Sequence, residues 1–137
     1  MQSCNQSSVS VERVAIKRLF FGRAKCNQCN QKNMTAEAEI QNQIRVAVSQ
    51  HGCTIFRANV GKVQTKDGRW FDTGLPNGYP DLCGFRHSDG KAVYIEVKNE
   101  KGRLRPDQVK FQEFIKQYPV LYGVCRSAED AIKLVEG

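Results

Sequence analysis

From Thr35 onward apolar residues recur at helical spacing, with Ile40, Ile44, Ala47 and Val48 following one another until His51-Gly52 breaks the pattern. Thr35 can accept the unpaired amides of a first turn, and Glu37 and Glu39 lie where a helix N-terminus favours acids, so an amphipathic helix is predicted there. Projected at about 100° per residue, Glu37 and Gln41 fall inside the apolar stripe, whereas Glu39 falls on the opposite face. A buried polar group costs roughly 1–3 kcal/mol unless it finds a partner. Glu37 and Gln41 therefore point inward and need partners there.

Three stretches then read as strands: Thr54 to Asn59, Asp81 to Arg86 and Ala92 to Lys98. Between the first two, Gly61 to Pro80 is long and Gly-rich; Asp67-Gly68 can turn a small hairpin, while Pro76, Gly78 and Pro80 oppose regular structure. A loop of this length inside a compact domain usually has a function. Ser88-Asp89-Gly90 reads as a hairpin turn between the second and third strands. After the linker Lys101-Gly102-Arg103, Pro106 suits a first helical turn, and Gln108, Phe111, Ile115 and Tyr118 keep helical spacing up to Pro119. Val120 to Cys125 reads as a strand, and Ser127 with Asp130 opens a closing helix to Glu136. The order α-β-β-β-α-β-α predicts an α/β domain.

The chain has 137 residues, enough for one domain and too few for a two-domain enzyme with a separate cofactor module. With 40% hydrophobic and 26% charged residues it is neither disordered, collagen-like nor a coiled coil. No apolar run approaches bilayer length and no secretory signal opens the chain, so no membrane partner and a cytoplasmic location are expected. The formal charge of +7 suggests an anionic partner such as nucleic acid. Residues 1–33 carry +5 of it and the remainder only +2, so a nucleic-acid role for the main domain must come from its site. Residues 1–33 are rich in Ser, Asn and Gln, with one basic and apolar stretch from Val9 to Phe21, and read as a poorly ordered extension or as an arm for DNA phosphates. The folded domain is expected over residues 34–137.

Of the six cysteines, Cys53, Cys83 and Cys125 fall in or beside strands, which favours buried free thiols over disulfides. Cys26 and Cys29 form half of a zinc knuckle, but no second pair follows; Cys4 and His51 are conceivable completers.

The chemistry gathers elsewhere. Asp81 stands where the long loop enters a strand, and the clearest strand carries Glu96 and Lys98 on one face with Val93, Ile95 and Val97 on the other. If the Ser88-Asp89-Gly90 turn pairs the two strands, Asp81 lies beside Glu96. Two carboxylates and a backbone carbonyl, that of Val97, are hard oxygen ligands suited to Mg2+ or Mn2+. Lys98 would position a water or stabilise the charge of a transition state, which makes the constellation one for metal-assisted hydrolysis of a phosphate backbone. Read singly, Glu96 and Lys98 are also ordinary solvent-facing strand residues, and Gln108 is a boundary position as readily as a site residue.

Five segments in order, Glu37-x-x-Ile40-Gln41, Phe56-Arg57-Ala58-Asn59-Val60-Gly61, Gly78-Tyr79-Pro80-Asp81-Leu82, Ile95-Glu96-Val97-Lys98 and Gly102-Arg103-Leu104-Arg105-Pro106-Asp107-Gln108, resemble those of VRR-NUC domains. These are virus-type replication-repair nucleases of the PD-(D/E)xK superfamily, and the likeness spans about residues 35 to 137. The resemblance implies a restriction-endonuclease-like core with a mixed central sheet flanked by helices, dependence on Mg2+ or Mn2+, and cleavage of structured DNA. It implies that Asp81 and Glu96 bind metal, that Lys98 is the catalytic lysine, that Glu37 and Gln108 complete the site, and that Gln41 and Arg57 support it. Relatives consisting of little beyond this domain resemble Holliday-junction resolvases acting as homodimers; versions with extra domains resemble flap nucleases, and helicase partners are conceivable. The resemblance thus implies a homodimeric resolvase of four-way DNA junctions. A flap or nicking nuclease is the alternative, and a noncatalytic DNA-binding module or a zinc adaptor the less favoured ones. Lys101, Arg103 and Arg105 make the linker unusually basic, fit either to grip DNA phosphates or to aid solubility.

Overall fold

The computed structural model describes residues 35–137. The basic extension, its stretch from Val9 to Phe21, Cys4, Cys26 and Cys29 lie outside the described residues. The elements are α1 (Ala36–Gln50), β1 (Cys53–Arg57), β2 (Lys62–Gln64), β3 (Trp70–Asp72), β4 (Leu82–Arg86), β5 (Ala92–Val97), α2 (Pro106–Ile115), β6 (Leu121–Cys125) and α3 (Ala128–Glu136). A four-stranded sheet runs β1-β4-β5-β6. Its first three strands pair antiparallel, and β6 joins β5 in parallel after the crossover through α2. The fold is thus the expected α/β one, with a mixed sheet flanked by helices. Among the described residues no helix is long and apolar enough to cross a membrane.

Side-chain alternation gives the sheet two unlike faces. On one, Ile55, Leu82, Val93, Ile95, Val97 and Cys125 meet Ile44 and Val48 of α1 and Ala131 and Val135 of α3 in a single buried cluster. Inward placement holds for α1 as predicted: Gln41 is buried, Glu37 half-buried and Glu39 exposed. Thr35 caps α1 by accepting the Ala38 N–H at 3.3 Å, and Ser127 caps α3 by accepting that of Asp130 at 3.2 Å. The opposite face carries Tyr94, Glu96 and Tyr122, and α2 lies over it through Phe111, whose ring meets Tyr94, Tyr79 and Tyr122. Cys53, Cys83 and Cys125 are free thiols, the first and last buried.

Beyond one-residue shifts that leave Asp81, Lys98 and Val120 just outside their strands, the structure departs from the predicted elements in two places. The strand expected from Thr54 to Asn59 runs from Cys53 to Arg57, since the ladder ends once the Ala58 N–H has bonded the Asp81 carbonyl at 2.8 Å. α2 stops at Ile115 rather than Tyr118; Tyr118 donates instead to the Ile115 carbonyl at 3.1 Å, a tighter turn that fits the residue before Pro119. The hairpin expected at Asp67-Gly68 does form in the long loop, and its strands β2 and β3, paired only with each other among the described residues, add two members to the predicted order. Gly68 closes their turn with φ +82°, a conformation that glycine adopts without strain. The turn between β4 and β5 forms as expected, with Gly90 N–H on the Arg86 carbonyl at 2.9 Å.

One glycine sets how closely the loop before β4 approaches α2. Gly78 has φ +83°, and a Cβ there would lie 2.9 Å from the Gln108 nitrogen and nearer still to the Asp107 carbonyl. The backbone of Gly78 therefore rests directly on the first turn of α2, and Pro80 and Asp81 follow at once. Gly78→Ala is expected to cost about 2–4 kcal/mol, because a left-handed backbone and a backbone clash combine. Gly90→Ala, at φ +71° with open space around it, is expected to cost only about 1 kcal/mol. Thermal or urea unfolding of both variants checks this; equal losses would refute the close-approach account.

Candidate active site

The register Leu82↔Ile95 places Asp81, one residue ahead of β4, opposite Glu96. Asp81 is fixed there because its Oδ2 accepts the Val97 N–H at 2.9 Å. Tyr79 anchors the approach, with its ring edge-on to Phe111 at 5.3 Å and to Tyr94 at 6.0 Å. Pro80 between them is fully buried.

Glu96 is only 1% exposed. Its Oε1 accepts the Gln108 side-chain amide at 2.5 Å and pairs with Lys98 Nζ at 2.7 Å. Its Oε2 is buried with no hydrogen-bond partner among the described residues. Gln108 occupies the third position of α2, where its Oε1 also accepts the Arg105 N–H at 2.9 Å. One side chain therefore caps the helix and holds the carboxylate. The Lys98 side chain is 12% exposed, so the ion pair is shielded on both sides.

Electrostatics at this point are unfavourable to negative charge. Burial pushes the Glu96 carboxyl up to about 7; the nearby Asp81 carboxylate acts in the same direction, and Lys98 opposes both. Tyr122 is raised to about 12, first by burial and then by the charges of Glu96 and Asp81. A buried carboxylate oxygen without a donor, beside a second carboxylate, is the environment that a cation relieves. Among the described residues no three His, Cys, Asp or Glu side chains group as ligands. A cation here would thus draw on Asp81, Glu96, backbone oxygen such as that of Val97, and water, a hard set that fits Mg2+ or Mn2+ and not a thiolate or imidazole metal.

Glu37 borders the site from α1, its Oε1 accepting the Asn99 N–H at 3.5 Å. The turn from Asn99 to Gly102 is braced by Arg126, whose guanidinium donates to the Asn99 carbonyl and, at 2.9 Å, to that of Gly102. A Cβ on Gly102 would come within 3.2 Å of Lys98 Cδ and 3.3 Å of Glu37 Oε1, so glycine lets the turn pack against both. Gln41 is buried farther along α1, and among the described residues no hydrogen bond joins it to the carboxylates. Arg57, Lys101, Arg103 and Arg105 are exposed and likewise make no bond to the carboxylates. The structure brings together Asp81, Glu96, Val97, Lys98 and Gln108, with Glu37 at the edge. Gln108 is buried against Glu96, which removes the boundary reading, and burial of Glu96 removes the solvent-facing one. His51 bonds Glu136 at 2.8 Å.

Sequence reasoning missed Arg126, Asn99, Tyr79 and Tyr122. The parallel register Val97↔Cys125 would have placed Arg126 level with Lys98, but that pairing cannot be read before the crossover is known.

A family model described as the VRR-NUC domain matches residues 24–129 of the chain. A solved structure described as a VRR_NUC domain is similar in fold, with a TM-score of 0.55 and 22% identity over 75% of this chain and 97% of that one. No curated protein matches.

The raised Glu96 carboxyl has a consequence for stability. Because the folded state holds this proton more tightly than the unfolded chain, the stabilisation is complete below the ordinary value of 4.5 and is lost as pH rises through about 7. Protein treated with chelator should therefore melt at lower temperature at pH 7.5 than at pH 5, and Glu96→Gln should flatten that difference. Mg2+ or Mn2+ should restore stability at the higher pH only. Calorimetry across this range checks it; a Glu96→Gln profile parallel to the parent's would refute the assignment.

Proposed function

The chain belongs to the VRR-NUC domain family, a nuclease type of the PD-(D/E)xK kind, and from that premise we propose that it is a divalent-cation-dependent DNA endonuclease acting on branched DNA. The observation that carries this reading is the donorless, buried Oε2 of Glu96 beside Asp81 and the Glu96–Lys98 pair. Pro80-Asp81, Glu96 and Lys98 supply the residues after which the superfamily is named.

Each side chain has a distinct task. Gln108 and Lys98 both engage Oε1 of Glu96, which leaves Oε2 for a ligand. The Val97 N–H holds Asp81 in place without consuming both of its oxygens. Mg2+ or Mn2+ held by these carboxylates would supply charge neutralisation at the scissile phosphate and acidify a water. The Lys98 ammonium, kept at the site by Glu96, orients the attacking water and stabilises the extra negative charge as its oxygen bonds phosphorus and the ester P–O bond breaks. Lys101, Arg103 and Arg105, exposed on the segment between β5 and α2, suit contacts to flanking phosphates. A noncatalytic DNA-binding module is disfavoured, since two carboxylates facing a phosphate repel it unless a cation intervenes.

The favoured substrate is a four-way junction. Paired nicks across such a junction need two sites related by a two-fold axis, so this substrate entails a homodimer. A flap or nicking nuclease would use the same residues as a single site.

Asp81→Ala, Glu96→Ala and Lys98→Ala are each expected to lower cleavage at least about 100-fold while the protein stays folded by circular dichroism and still binds DNA. Labelled junction, flap and linear duplex, incubated with Mg2+ and with Mn2+, separate the readings. Preferential junction cutting by a dimer supports the resolvase. Flap cutting by a monomer supports the alternative, and equal cutting of all three removes structure selectivity. Activity retained in all three variants would overturn the nuclease site.

A further inference from the structure

The β2–β3 hairpin plays no part in the carboxylate site, yet it is rooted beside it. It leaves the main sheet where the Ala58 N–H bonds the carbonyl of Asp81, and it closes at its base through the Thr73 N–H on the Gly61 carbonyl at 3.2 Å. Among the described residues its strands pair with each other and with no other strand. A ribbon of three residues per strand buries too little to be stable on sheet pairing alone, but this one exposes its largest apolar side chains: Trp70 at 70%, Val63 at 60% and Phe71 at 59%.

The register decides what kind of partner fits. Val63 stands opposite Phe71, so these two share one face, while Trp70 opposite Gln64 occupies the other. A protein-docking face would gather its apolar groups on one side. A ribbon with an aromatic ring on each side is shaped instead to stand between two flat surfaces. Cations accompany the rings: Lys62 beside Asp72, Lys66 near the tip, and Arg69 on Asp67 at 2.6 Å. Rings interleaved with cations on a projecting element suit nucleobases, which have apolar faces and an anionic backbone.

We propose that the β2–β3 hairpin is a stacking element that receives unstacked base faces at a DNA branch point, whether of unpaired bases in a flap or of the pairs that border a four-way exchange point, through Trp70 and Phe71, beside the strand entry that carries Asp81. This rests on the nuclease reading above. It adds a source of structure selectivity that the carboxylate site lacks, because bases in continuous duplex are already stacked and offer no free face.

Trp70 is the sole tryptophan of the chain, so its emission reports the hairpin directly. The full-length Lys98→Ala protein in Mg2+ is titrated with duplex bearing an unpaired flap and with fully paired duplex of equal length, while anisotropy of the labelled DNA follows binding separately. Flap DNA should quench Trp70 as anisotropy saturates, and paired duplex should not. Trp70→Ala and Phe71→Ala should each weaken flap binding by about 10-fold, leave duplex binding within about 2-fold, and leave the melting temperature unchanged. Trp70→Phe, which keeps a ring, should recover most of the loss. Saturated binding with unaltered emission, equal quenching by both DNAs, or quenching that depends on protein concentration without DNA would overturn the proposal, the last pointing to a second copy as the occupant. The nuclease reading fails separately, through the Asp81, Glu96 and Lys98 variants in the cleavage assay.

Discussion

A carboxylate kept out of water, with one oxygen bonded and the other bare, is the constraint around which this domain is arranged. Desolvating an ionised carboxyl costs several kcal/mol, and Glu96 receives only partial return from Lys98 Nζ and the Gln108 amide on its Oε1. The remaining debt is visible in the upward shift of its proton affinity and in the donorless Oε2. A hydrophobic residue on this strand would remove the conflict at once. That the chain holds an acid there, with a second acid opposite it on the neighbouring segment, makes sense only if something positive completes the group. Structural stability and chemical function are thus opposed at this position, as expected where binding groups are preorganised.

The two faces of the sheet divide the labour. The α1/α3 face contains the buried apolar cluster from Ile44 to Val135. It provides the burial that offsets the polar face. On that second face α2 does more than cover aromatic rings. The Gln108 side chain ties the start of α2 to Glu96, and the Gly78 backbone rests on the same turn, so the loop bearing Asp81 and the strand bearing Glu96 are both referred to one helix end. Arg126 does the equivalent on the other side, bracing the turn after Lys98 from the end of β6. Three separate chain segments are thereby held to a common origin by backbone-directed bonds, which tolerate little drift.

What could be read from the sequence followed from local rules. Alternation along Val93 to Lys98 separated the buried aliphatic face from the acid and amine, and the turn at Asp89-Gly90 fixed the pairing that brings Asp81 to Glu96. Helical projection correctly placed Gln41 inward and Glu39 outward. What escaped depended on long-range pairing. Read singly, Glu96 passed for a solvent-facing strand residue because nothing local announces that α2 returns over it. Arg126 carries no motif, and its role exists only through the parallel register of β5 with β6. The end of α2 was misplaced because Tyr118 preserves the apolar spacing while Pro119 denies the backbone, and spacing alone cannot weigh the two. Of the β2–β3 hairpin only the turn at Asp67-Gly68 was legible; the extent of its strands was hidden because their outward-facing residues show no buried period.

That last failure bears on how such a domain can vary. β1 and β4 are neighbours in space, and their chain connection runs past Asp81, so any insertion between them emerges at the rim of the carboxylate site. The insertion contributes no residue to the buried cluster. Its residues are therefore free of packing demands, and large aromatic side chains such as Trp70 and Phe71 have no folding reason to be there. A solvent-exposed apolar ring without a structural task is disfavoured in a ribbon already rich in charge, unless contact with another molecule covers it. Because the Ala58 N–H at the root of the hairpin bonds the Asp81 carbonyl, the rings project from a ribbon anchored next to the carboxylates. Geometry of that kind couples recognition to chemistry without any moving part.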